Sequence, residues 1–139
     1  MPNDEIVAFF SEDAEMDAAI RQAKQSFAQF LNAFASPSAK QKSFLVKAAF
    51  VDGEQVEHIW LADLDFSRAK PSGVVANEPG LPTLKFMQTI EFEPSQITDW
   101  MYIEDGYLVG GYTTRLIRER MSPADRSTHD ANAPYKFCD

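Results

Sequence analysis

Between Asp13 and Pro37, apolar residues recur every three or four positions: Met16, Ile20, Ala23, Phe27, Phe30, Leu31 and Phe34. That spacing winds onto one stripe of an α-helix. Such a helix is stable only when its stripe is covered, so the segment demands a second layer of structure. Ser11-Glu12-Asp13 can accept hydrogen bonds from the first free N–H groups. Glu12, Asp13, Glu15 and Asp17 sit where the helix dipole favours negative charge. Ser36-Pro37 closes the element, because proline pushes the preceding residue out of helical geometry. One long N-terminal helix follows, with its phenylalanines as core rather than as a ligand site.

The second layer is a sheet. Phe44 to Val51 and Val56 to Leu61 flank Asp52-Gly53-Glu54-Gln55, a hairpin signal. With a loop of two or four residues, Phe44, Val46, Ala48 and Phe50 share a face with Ile59 and Leu61. Lys47, Ala49, His58 and Trp60 take the other face, which is only partly apolar. A loop of odd length would exchange the two faces.

Further along, Asp63 to Gly73 reads as a loop and Gly73 to Asn77 as a short strand. Asn77-Glu78-Pro79-Gly80-Leu81-Pro82 is a cluster of turn formers that stops it. Leu84 to Phe92 alternates as a half-buried strand does, and Pro94 to Ile97 reads as a turn with a single helical turn. Trp100 to Ile103 and Tyr107 to Val109 flank Glu104-Asp105-Gly106, a second hairpin. Gly110-Gly111 then breaks the strand, and Leu116, Ile117 and Met121 have helical spacing. Ser122-Pro123-Ala124-Asp125 looks like a fresh helix start with Ser122 as cap. Tyr135 and Phe137 are the apolar anchors of an otherwise polar tail. The fold class is therefore α+β: a long N-terminal helix packed on an antiparallel sheet of about five strands, with short C-terminal helices. Ile6 to Phe10 makes residues 1–12 an arm or edge strand, and residues 13–137 form a single domain.

A chain of 139 residues falls within the roughly 100–200 residues of one domain. Its formal net charge of −8 repels phosphate backbones, so nucleic acid is not an expected partner. An acidic surface suits a basic protein partner instead. The single cysteine, Cys138, excludes an intramolecular disulfide and a cysteine-built zinc site. No apolar run approaches the ~20 residues of a membrane span, and the first residues are acidic where a secretory signal is basic. A cytoplasmic location is expected by default.

Residues capable of chemistry are few. His58 and His129 are far apart and in no ligand spacing, so no metal is expected. No cofactor fingerprint occurs, and no nucleophile stands in a recognised motif. The most suggestive piece is Gly110-Gly111-Tyr112-Thr113-Thr114-Arg115. Glycines leading into a helix expose N–H groups, and the threonines and Arg115 add donors, so a small anion could dock there. Equally, the glycines could serve a tight turn and Thr113 or Thr114 could cap the helix. A second constellation is His58, Trp60, Asp99 and Trp100, where tryptophan would offer area and one donor to a planar ligand or peptide. Its structural alternative has His58 and Trp60 half-buried, with Asp99 orienting a turn or capping a short helix.

Several local patterns also occur together: Val46-Lys47 with Phe50, Glu57-His58-Ile59-Trp60, Gly73 with Asn77 and Pro79, Ile97-Thr98-Asp99-Trp100-Met101, Gly110 to Arg115, and Met121-Ser122-Pro123 with Tyr135-Lys136-Phe137. In this order they resemble the bacterial family called domain of unknown function 2314, over about Asp13 to Phe137. One departure is Lys85-Phe86-Met87, where the family usually has a glycine soon after the lysine. The resemblance implies a small bacterial α+β domain and brings no catalytic residue. The leading expectation is a non-enzymatic protein-interaction or regulatory domain of an immunity-like kind. The alternatives are a small-ligand or anion-binding domain using the Trp60, Trp100 and Arg115 region, and an enzyme of unrecognised mechanism. An open pocket lined by His58, Asp99 and Arg115 would favour the alternatives; burial of those residues would favour the first.

Overall fold

Asp13 begins the first helix with its own carboxylate, whose Oδ1 accepts the Met16 N–H at 3.0 Å. The structure, a computed structural model, describes residues 13–138; the expected arm or edge strand of residues 1–12 lies outside them. Helix α1 spans Ala14–Gln25 and α2 spans Phe27–Ala35, so the expected single helix is broken at Ser26. The Ser26 hydroxyl donates to the Gln22 carbonyl at 2.7 Å, and the Trp100 indole donates to the Ala23 carbonyl at 3.0 Å. A foreign donor inserted at a helix carbonyl bends the helix there. The apolar stripe survives the break: Ala23, Phe27, Phe30 and Phe34 all pack on one core.

Six strands follow, one more than expected: β1 Gln41–Asp52, β2 Gln55–Asp65, β3 Ser72–Val75, β4 Thr89–Glu91, β5 Ile97–Glu104 and β6 Tyr107–Gly110. They lie in the order β4-β3-β2-β1-β5-β6, with antiparallel neighbours throughout. Asp52 pairs with Gln55, leaving the two-residue loop Gly53-Glu54. That loop length sets Val46 opposite Leu61 and Ala48 opposite Ile59 on the helix-covered face. Lys47 opposite Trp60 and Ala49 opposite His58 fall on the second face. In the second hairpin Glu104 pairs with Tyr107, and Asp105 and Gly106 both have positive φ, at 55° and 86°. Two positive φ angles in a two-residue loop match the twist of paired strands.

The alternation of Leu84 to Phe92 yields only the three residues of β4. Upstream, Gln88 N donates to Lys85 O, closing a turn in which Met87 has φ 71°. Phe86 and Met87 stand at its tip, 48% and 63% exposed. Glycine adopts that geometry without strain, whereas methionine does so at a cost.

Helix α3, Tyr112–Glu119, and helix α4, Pro123–Asn132, close the chain, with Ser122 Oγ accepting the Asp125 N–H as cap. Tyr135 and Phe137 pack against Met101, Ile103 and Leu108 on the second face. Between those two anchors, Lys136 exchanges backbone hydrogen bonds with Gly106 and Leu108 along β6.

Candidate functional site

A bulge in β5 organises the second face. Lys47 pairs with Asp99, while the next residue, Ala48, pairs with Ile97, so Thr98 is extra. Ile97 and Trp100 stay in the helix-side core. Thr98 and Asp99 therefore both reach the second face, where strict alternation would have divided them.

Asp99 is fully buried. Its Oδ1 accepts the N–H groups of Trp100 at 2.8 Å and Tyr112 at 3.1 Å. Its Oδ2 accepts the Thr113 N–H at 2.9 Å and also the Thr113 hydroxyl. The first residue before α3, Gly111, has no side chain to cap with. The Asp99 carboxylate, thirteen residues before Tyr112, does so instead, meeting both the free N–H groups and the positive end of the helix. Neither Thr113 nor Thr114 is the cap. Thr113, with its hydroxyl given to Asp99, accepts from Lys47 Nζ at 2.8 Å. Lys47 also lies over the Trp60 ring, 5.1 Å from its centroid.

Burial pushes the Asp99 carboxyl up from its ordinary value, against the opposing pull of the Thr113 hydrogen bonds and of Lys47. Burial also lowers Lys47, and Asp99 counteracts this. His58 sits beside them, with Nδ1 3.0 Å from Thr98 Oγ1. Burial, and secondarily the Lys47 charge, push His58 down to about 4.

The other motif residues are likewise tied across the fold. Glu57 accepts the N–H of Gly80 with both oxygens, at 2.7 and 2.6 Å, and that of Leu81 at 3.1 Å, clamping the Asn77–Pro82 turn. The Trp60 N–H donates to Asn77 Oδ1 at 2.8 Å. Trp100 is fully buried on the helix side, its ring 5.8 Å from those of Phe30, Tyr102 and Tyr112. Gly110, φ 77°, lies against it: a Cβ there would stand 2.4 Å from the Trp100 carbonyl oxygen. Arg115 donates to the Gly110 and Leu108 carbonyls at 2.8 and 2.7 Å. The N–H groups of Tyr112 and Thr113 are thus already given to a carboxylate of the chain itself.

Of the nine positions singled out from sequence, Asp99, Tyr112 and Thr113 are joined directly, and Gly110, Gly111 and Arg115 shape the same helix start. Trp60 reaches the group through Lys47, and His58 through Thr98. Trp100 belongs to the opposite face. Lys47 and Glu57 occur in the motif patterns but not among the candidate binding residues, and their structural roles have no local sign, since their partners lie 66 and 23 residues away.

Trp60 has one more neighbour, a cleft of about 710 Å³ that opens beside it. Its walls include Phe34, Phe44, Leu64, Met101 and Tyr135, with Asp63 as the single charged residue of its lining. His58, Asp99 and Arg115 do not line it. Among the described residues, no group of three or more His, Cys, Asp or Glu could hold a metal ion, and no helix is long and apolar enough to cross a membrane.

The fold is that of an α+β domain, an antiparallel sheet whose strands are capped and clamped by residues distant in the chain. The chain is a member of the family described as an uncharacterised protein conserved in bacteria, domain of unknown function 2314, matched over residues 13–137. It is similar to the uncharacterised protein YegJ of Escherichia coli K12, 31% identical over 112 residues, covering 80% of this chain and 72% of the relative. A provisionally named ankyrin repeat protein of Neisseria meningitidis serogroup B, NMB1133/NMB1171, is 35% identical over 89 residues. That match covers 63% of this chain and only 35% of the Neisseria protein. No solved structure matches.

Proposed function

We propose that the chain is a non-enzymatic protein-interaction domain of a regulatory or immunity-like kind, with a basic protein as partner. The observation that carries this reading is the burial of Asp99. The carboxylate best placed for acid–base work is enclosed and accepts four hydrogen bonds from its own chain. Motif residues spent on holding the fold leave function to the surface, and the chain's formal charge of −8 gives that surface its sign. The Neisseria relative carries ankyrin repeats by its name, and this domain matches about a third of it. A domain joined to repeats fits a role in binding better than a self-contained reaction.

Capture of partners from a bacterial lysate on the immobilised chain, at low and at high salt, tests the reading. A protein partner lost as salt rises is the expected result. Capture of none at either salt, alongside turnover or binding of a metabolite, would reverse it.

The cleft beside Trp60 supports a second reading, a small-ligand domain, because about 710 Å³ falls within the roughly 300–1,000 Å³ of small-molecule sites. A metabolite that raises the melting temperature of the wild-type chain, and does not do so for Trp60→Ala, would favour it.

A further inference from the structure

The cleft exists because two paired strands come apart. β1 begins at Gln41 and β2 runs on to Asp65, yet their ladder ends at Val46 opposite Leu61. Past that point β1 continues only with β5, through Leu45–Met101 and Lys42–Ile103. β2 continues only with β3, through Ala62–Val74 and Asp65–Ser72. Each strand is irregular just where it leaves the other, between Lys42 and Leu45 and between Ala62 and Asp65.

Backbone strain marks the same place. Four described residues other than glycine have positive φ: Ser43 at 58°, Asp63 at 45°, Met87 at 71° and Asp105 at 55°. Asp105 belongs to a two-residue hairpin loop, and Met87 to a turn, where such angles have a local reason. Ser43 and Asp63 sit instead at the two irregularities themselves, where a bulged residue takes such an angle. They lie within strands, on either side of the parting, and both line the cleft. Strained backbone persists where surrounding structure enforces it, and it gathers at ligand clamps.

The lining then defines the occupant. Apolar walls from both faces of the sheet suit a large apolar side chain, and the volume leaves room for the backbone that carries it. Asp63 is exposed at the cleft, and no hydrogen bond or ion pair among the described residues holds its carboxylate. A lone acid beside an apolar slot complements a basic group next to an apolar one. Resting on the protein-interaction reading, we propose that the parting of β1 and β2 is the docking site, and that it takes a basic segment of a partner protein. One aromatic or large aliphatic side chain of that segment enters the cleft, and a neighbouring lysine or arginine pairs with Asp63.

The test is selection of a random peptide library on phage against the full chain, followed by amide chemical-shift mapping of the selected peptides. Enriched peptides should place an aromatic or large aliphatic residue beside lysine or arginine, and the shifts should centre on Ser43–Leu45, Ala62–Leu64 and Ala76–Asn77. Ala62→Trp fills the cleft from a strand and Ala76→Trp from its exposed rim, so at least one should fold normally. Each folded variant should lose binding by about tenfold or more. Asp63→Asn should weaken binding about two- to fivefold, the range of an exposed ion pair. Enriched peptides without basic residues, or shifts elsewhere, would overturn the assignment of occupant and site. Equal binding by the tryptophan variants would overturn the cleft while leaving a protein-interaction role standing. If no peptide is enriched and no protein is captured from lysate, both fail.

Discussion

The two faces of the sheet are stabilised in different ways. On the helix-covered face Phe30 is fully buried among Phe27, Phe34, Phe44, Phe66 and Trp100, with ring centroids 5.4 to 6.5 Å apart. Contacts of that kind are many and individually small, so a change of shape can be absorbed by neighbours. The second face relies on Asp99, Thr113 and Lys47, where each group completes the hydrogen bonding of the next. Buried polar networks tolerate little, because removing one member leaves the others desolvated and unpaired. Apolar packing supplies bulk stability here, and the polar network fixes where helix α3 begins.

Paired substitutions would break this contrast most sharply. Asp99→Ala removes the acceptor of four hydrogen bonds and leaves Lys47 buried without its counter-charge. The expected cost in urea unfolding is about 3–5 kcal/mol. Phe30→Leu, which removes the same number of side-chain heavy atoms from the apolar face, should cost only about 1–1.5 kcal/mol. Equal costs would mean that the second face is no more exacting than the first.

His58 sharpens the contrast through pH. Its folded value, pushed down to about 4 from 6.5, means that the unfolded chain takes up a proton which the folded chain refuses. The stability it contributes is whole above pH 6.5 and is lost as pH falls from 6.5 to about 4. The loss is on the order of 2–3 kcal/mol across that window. His58→Gln should flatten the change between about pH 7.5 and about pH 4.5, relative to wild type. An identical profile in both proteins would place the proton uptake elsewhere.

The smallest effect is expected outside both faces. Met87→Gly relieves a positive φ at an exposed tip. It should stabilise the chain by about 0.5–1 kcal/mol, relief of strain outweighing the added freedom of the unfolded state. Destabilisation would show that the Met87 side chain contributes packing.

Local chemistry was readable in advance, and long-range partners were not. Gly53 between alternating strands marked the first hairpin, whose facing depended on a loop length the sequence left open, and Ser122-Pro123 marked the start of α4. The break at Ser26 was invisible, because its cause is an indole that arrives from Trp100. The alternation of Leu84 to Phe92 misled, since alternating residues can also ride through a turn stitched to Val75. In the candidate site, residue types singled out Asp99, Thr113 and Arg115. The bulge at Thr98 that turns Asp99 toward the helix start has no sequence mark. Nor does the parting of β1 and β2, which rests on backbone angles at Ser43 and Asp63.

The tail that runs beside β6 has a consequence for how these molecules meet one another. An uncovered outermost strand offers a row of free N–H and C=O groups to any passing chain and so invites stacking into larger assemblies. Here Lys136 occupies that row at Gly106 and Leu108, while the opposite margin, β4, is only three residues long. The segment at Tyr135 to Phe137 thus acts as a seal that keeps copies of the sheet from growing onto each other. Cutting the chain before Tyr135 would open the seal, and the shortened protein should elute from a sizing column as higher-order species that grow with concentration.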